Sequence, residues 1–164
     1  MLREPVSAEV LGRTELFSGL SARDRETLAV CLRGRRYEPG EVVFTEGEPG
    51  ATLLVVAEGT LVATTHRPDG SIQVLNRMRP VEVAGEMAFL DPGPRSATVT
   101  AETEAVAYEL SHDSMDVLRQ QSPAAVSALV TAAIRDVTRR LRTLDDRIAQ
   151  ELDRVGRSAP GGEP

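Results

Sequence analysis

At 164 residues, with 41% hydrophobic and 27% charged side chains, the chain has the material for one compact core and the balance of an ordinary globular domain. A net charge of −6 argues against a surface built to bind nucleic-acid backbones, while leaving room for a small anion held by local positive charge. No apolar run approaches the roughly 18 to 20 residues of a bilayer span and the N-terminus lacks the basic start and apolar core of a signal peptide, so a cytoplasmic location without membrane contact is expected.

All 19 basic residues are arginine, which excludes lysine-dependent catalysis such as Schiff-base formation. Cys31 has no partner for an intrachain disulfide and lies in an apolar stretch, where a buried packing role is expected.

Taken in chain order, Phe17 and Leu20 lead into Ser21-Ala22-Arg23-Asp24, an N-cap with an acidic residue three positions on. Leu28, Ala29 and Leu32 follow at helical spacing, so a short helix comes first. From Arg35 to Leu110 the pattern changes to β-rich runs at 41–45, 52–57, 60–66, 71–77, 96–101 and 104–110, separated by Gly and Pro. That spacing predicts an antiparallel sandwich or barrel rather than alternating βαβ units. Glu58-Gly59 and Pro68-Asp69-Gly70 carry hairpin-turn signals. Ser111 is a candidate N-cap for a helix over 112–121, and Ser122-Pro123 opens a second helix running to about Val155, proline being suited to the first helical position. The expected organisation is one domain over residues 1–155, including a helix over about 123–155, and a flexible tail over 156–164.

The stretch most informative about chemistry runs from Gly85 to Val99. Gly85 permits close backbone approach, and the residues after it can form a helical turn whose free N–H groups and dipole favour an anion. Arg95 adds a planar donor fork suited to phosphate oxygens. Glu86 can accept a hydrogen bond from a hydroxyl, and a carboxylate beside an anion site calls for such a neutral partner.

Gly85-Glu86-Met87-Ala88, a spacer, and Arg95-Ser96-Ala97 resemble the phosphate-binding cassette of the cyclic-nucleotide-binding domain family, which includes catabolite activator proteins and protein kinase A regulatory subunits. Glycines at Pro39-Gly40-Glu41, Glu46-Gly47-Glu48 and Glu58-Gly59 match the family's framework, and the likeness covers about residues 16–152. The resemblance implies an α+β fold: an antiparallel β-roll (a double-stranded β-helix or jelly roll) with a short N-terminal helix, an inserted cassette helix and a long C-terminal helix. It also implies that Glu86 binds a ribose 2′-OH and Arg95 a phosphate oxygen, while the backbone of Glu86 to Ala88, with Ser96 and Ala97, holds the rest of the cyclic phosphate. The family usually has Gly-Asp-x-Phe before its Gly-Glu. Here Val81-Glu82-Val83-Ala84 stands instead, so an altered turn is expected.

Ser96 follows the arginine, a position often Ala in cAMP-selective members, Thr in cGMP-selective ones and Ser in bacterial cAMP receptors. The expected ligand is cAMP, with cGMP and cyclic di-GMP as alternatives and no further cofactor. Arg135 and Thr138 on the long helix are the candidate base cap.

Other chemistries fit poorly. His66 and His112 have no metal-ligand neighbours in sequence, and the His-x-His grouping of a cupin is absent. No Gly-x-Ser-x-Gly elbow occurs, and one cysteine cannot hold an iron–sulfur cluster. An enzyme is not expected.

The long helix carries Val130, Val137 and Leu144, and Ile134, Leu141, Ile148 and Val155, two period-seven series offset by four. That is a coiled-coil seam, with Arg140 and Asp145 at facing g and e positions of a parallel homodimer. The function expected is a dimeric sensor acting through an unidentified partner protein, without direct DNA binding, since only nine residues follow Val155. The alternative is a structural or interaction domain that keeps the β-roll without its ligand.

Overall fold

The computed structural model describes residues 3–4, 6–13, 15–91 and 93–158. In chain order these form β1 (Arg3–Glu4), α1 (Ala8–Arg13), a 3-10 turn (Glu15–Phe17), α2 (Ala22–Cys31), β2 (Arg33–Tyr37), β3 (Val42–Phe44), β4 (Thr52–Glu58), β5 (Leu61–His66) and β6 (Ile72–Met78). There follow β7 (Val83–Ala84), α3 (Glu86–Leu90), β8 (Thr98–Ala101), β9 (Ala105–Ser111), α4 (His112–Gln121) and α5 (Pro123–Ser158).

The strands make two antiparallel sheets, ordered β1-β2-β9-β4-β7 and β3-β8-β5-β6. This is the expected α+β β-roll. Strand β4 shows why Leu53 to Val56 read as an unbroken apolar run: both of its faces are covered. Leu53 and Val55 join Leu28, Leu118 and Leu129 in a core under the helices. Leu54 and Val56 join Tyr37, Leu61, Met78 and Val99 inside the roll. Cys31 is buried in the helical core, and burial pushes its thiol pKa up.

Local signals place several ends as expected. Ser21 Oγ accepts from the Asp24 N–H and Ser111 Oγ from the Ser114 N–H, each capping its helix. Pro123 opens α5, with Ser122 Oγ accepting from the Ala125 N–H. The Pro68-Asp69-Gly70 turn joins the paired strands β5 and β6.

Two expectations need correction, and one turn stands out between them. Glu58-Gly59 does not close a hairpin, because β4 and β5 belong to different sheets; it turns a corner of the roll, and a Cβ on Gly59 would fall 2.1 Å from the Glu104 carbonyl oxygen. The turn before the cassette, where the sequence departs from the family's usual residues, carries an unusual backbone angle. Val81 adopts φ +81°, in the left-handed region, which a β-branched side chain disfavours. Hydrogen bonds hold it there, from the Val81 N–H to Val56 O and from the Val56 N–H to Glu82 O. Finally, α5 continues through Ser158, into the segment expected to be tail; residues 159–164 and the side chain of Val155 lie outside the described residues.

Candidate functional site

Strand β7 delivers the chain to Gly85, whose φ of +81° starts α3. Glycine is required there twice over. Beyond the backbone angle, a Cβ would stand 2.5 Å from Arg95 Nη1, 2.8 Å from Thr52 O and 2.9 Å from the Phe44 ring. The first N–H groups of α3 precede any intrahelical acceptor, so this turn presents donors towards the space in front of Gly85.

The loop carrying Arg95 is laced to the turn before β4. Gly47 N–H donates to Arg95 O, Arg95 N–H to Glu48 O and Gly50 N–H to Gly93 O. Gly50 permits this approach, since a Cβ would stand 2.5 Å from that of Ala88 and 2.9 Å from Arg95 Nε. The neighbouring cassette residue Pro92 lies outside the described residues.

Arg95 is only 7% exposed. Nη1 donates to Thr52 O (2.9 Å) and Gly85 O (3.3 Å), Nη2 donates to Thr52 Oγ1 (2.9 Å), and the group lies 3.6 Å over the Phe44 ring. Burial pulls its pKa below the usual value, with the carboxylates of Glu109 and Glu86 opposing the shift.

Glu86 is 1% exposed. A carboxylate so buried requires a cationic or donor partner, and Arg140 of α5 supplies it, with Nη1 2.8 Å from Glu86 Oε1. Arg95, Glu86 and Arg140 line one small recess together with Gly85, Met87, Ala88, Ser96 and Ala97. All seven cassette residues singled out in the sequence therefore meet at one site. Two arginines, Arg95 and Arg140, thus flank the buried carboxylate of Glu86. Such a site can hold a compact anion at the α3 turn and a hydroxyl near Glu86.

The base-cap candidates do not join it. Arg135 lines a separate recess on the other side of α5, with Pro80 and Val81. Thr138 lines neither that recess nor the cassette recess; at about 100° per residue it projects roughly 200° around the helix from Arg140. The mouth of the cassette recess is walled instead by Arg139, Arg140, Thr143 and Leu144 of α5 and by Asn76 and Arg77 of β6. Arg140, assigned to an inter-chain pair with Asp145, is turned onto Glu86 of its own chain. Only its helical spacing was legible beforehand, because the register of α5 against the cassette is a tertiary property. One residue earlier, Arg139 Nη1 donates to Glu82 Oε1 at 2.5 Å, so α5 is pinned both to the strained turn and to the cassette.

The distal half of α5 has a different character. Ile134, Leu141, Leu144, Ile148 and Leu152 are 49–67% exposed. No helix among the described residues is long and apolar enough to cross a membrane.

Comparison with known proteins places this geometry. The family model "Cyclic nucleotide-binding domain" matches residues 34–122. The chain is 30% identical over 153 residues to a CRP-like cAMP-activated global transcriptional regulator of Mycobacterium tuberculosis, covering 93% of this chain and 65% of that protein. Among solved structures it resembles the N-terminal domain of a transcriptional regulator from Streptomyces coelicolor (35% identity, TM-score 0.62, 85% of this chain and 94% of that one). It also resembles the catabolite activator protein of Thermus thermophilus (28% identity, TM-score 0.67, 86% and 62%). The chain thus belongs to the cyclic nucleotide-binding domain family.

Proposed function

We propose that the chain is a cyclic-nucleotide sensor, not an enzyme, and that its ligand is cAMP. The observation that carries the reading is the burial of Arg95 and Glu86 in one recess beside the Gly85 turn: a fixed cation for the cyclic phosphate and a carboxylate for the ribose 2′-OH. The M. tuberculosis relative's description as cAMP-activated supports cAMP over cGMP and cyclic di-GMP. Ligand entry brings a hydroxyl to a carboxylate that already holds Arg140, so occupancy acts directly on the placement of α5. The exposed stripe from Ile134 to Leu152 supports a homodimer through α5, whose rearrangement a partner protein reads.

One observation favours the ligand-independent alternative. Glu86 is already paired with Arg140, so the recess is electrostatically self-contained as it stands. Calorimetric titration of the purified protein with cAMP, cGMP and cyclic di-GMP separates the readings. Saturable binding with cAMP tightest supports the sensor; no heat with any of the three supports the alternative.

A further inference from the structure

We propose that the groove on the side of α5 away from the cassette is a second ligand site, which takes a free, medium-length fatty carboxylate with its head at Arg135. The groove runs along α5 from Ala124 to Arg139, a span of about 22 Å at the helical rise. Its floor on the helix is made of small residues, Ala124, Ser127, Ala128 and Thr131. One wall is formed by Leu16 and Leu20, in and after the 3-10 turn that packs on α5, and the other by Pro80 and Val81. Small side chains between larger apolar ones leave depth without filling it, which is the form of a site for an apolar body. The Val81 wall is the strained turn, at φ +81°, and strain of this kind recurs at ligand clamps.

The groove and the cassette recess have no lining residue in common. Arg135 stands roughly 140° around α5 from Arg140, so an occupant of the groove leaves the nucleotide's place untouched.

Charge decides which amphiphile the groove takes. Glu82 is the acidic residue among the described walls, and both of its oxygens are engaged, Oε1 by Arg139 Nη1 at 2.5 Å and Oε2 by the Arg79 N–H at 3.0 Å. Glu82 thereby neutralises Arg139. Arg135 is exposed and makes no ion pair or hydrogen bond among the described residues, so among these residues the groove keeps one uncompensated positive charge, towards one end. The planar donor fork of an arginine there can hold a carboxylate through two parallel hydrogen bonds. One cation at one end and apolar walls along the rest match a single anionic head on an apolar chain. A polyanion would find one partner for many charges.

Calorimetry with decanoate below its micelle threshold tests the site, with decanol as the same chain without the charge and acetate as the charge without the chain. Decanoate is expected to bind the wild type saturably and about 5- to 20-fold more tightly than decanol, the value of a charge-assisted contact reduced by solvent. Acetate should give no saturable heat. Arg135→Gln should bring decanoate and decanol within about 2-fold of each other. Thr131→Trp fills the floor from an exposed position and should weaken both by about 10-fold or more; Ser127→Trp serves the same purpose if that variant melts early. No saturable decanoate binding, equal affinity for decanoate and decanol in the wild type, a preference unchanged in Arg135→Gln, or unchanged binding in both tryptophan variants overturns the site. So does co-sedimentation with phosphatidylglycerol vesicles that Arg135→Gln abolishes while decanoate gives no saturable heat, since the cation would then serve a lipid surface.

Discussion

The cassette and the distal half of α5 are opposites within one small protein. Around Gly85, Arg95 is buried and braced by Thr52, the Gly85 carbonyl and the loop hydrogen bonds, so this half of the recess is fixed by the fold itself. Beyond Arg140 the helix has no core of its own. Its large apolar side chains face solvent, and its link to the rest of the molecule near that point runs through arginines on Glu82 and Glu86. The difference teaches where the molecule can respond. A preorganised pocket binds without moving, and under the proposed function a helix held by an ion pair to the carboxylate that meets the ligand is the part that the ligand displaces.

The largest expected effect comes from breaking the fixed half. Arg95→Ala removes the one cation buried at the cassette. Charge-assisted hydrogen bonds of roughly 1.5 to 3 kcal/mol each, partly replaced by water, convert to a loss of about 30- to 1,000-fold in cyclic-nucleotide affinity. Calorimetry checks it, with thermal melting as the control for loss of the braces to Thr52 and Gly85. Affinity unchanged in a folded variant removes the cassette assignment.

On the helical half, Leu141→Glu places a carboxylate in the exposed stripe. Each large side chain buried in such a seam is worth roughly 1.5 to 3 kcal/mol, and a dimer loses two, so association should weaken by about 100-fold or more. Light scattering over a concentration series reads it. A wild type that is monomeric throughout, or a variant as dimeric as wild type, sinks the α5 interface.

Val81→Gly sharpens the comparison at the joint between the halves. Relieving a β-branched residue at positive φ is worth about 1 to 3 kcal/mol, and the added freedom of glycine in the unfolded chain returns about 0.5 to 1. A net gain of about 1 kcal/mol, raising the melting temperature by roughly 2–4 °C, is expected. A lower melting temperature would mean that the valine side chain contributes packing the angle does not reveal.

The smallest effect concerns Asp24. Its carboxyl is held below the usual value by hydrogen bonds from Ser21 and from Ser122 at the start of α5. A carboxylate whose folded pKa is depressed stabilises the fold above its unfolded pKa of about 4 and loses that contribution as pH falls through the lower folded value. Melting curves should therefore drop more steeply below about pH 4 in wild type than in Asp24→Asn. Parallel acid profiles would show that the contact is incidental.

Much of the roll could be read from the sequence because its signals are local. Alternation, caps at Ser21 and Ser111, and Pro123 each act within a few residues. The cassette was legible for the same reason, its donors and its arginine lying a few positions apart. Strand β2 was not, since Arg33-Gly34-Arg35-Arg36-Tyr37 carries one large apolar residue and looks like a charged loop until Tyr37 is seen inside the roll. The Glu58-Gly59 corner misled because a tight turn between two apolar strands has one local signature whether the strands pair or part. Arg140 needed the register of a helix against the cassette, and no spacing along the chain encodes it.

The stacking of Phe89 on His112, rings 15° from parallel with centroids 4.4 Å apart, has a practical consequence. The chain has two histidines, so its imidazole proton resonances are few and readily assigned. The His112 signals sit in the ring current of a residue on α3, while His66 lies at the end of β5 and gives an internal reference. A one-dimensional NMR spectrum thus holds a gauge of cassette-helix position, read without any label.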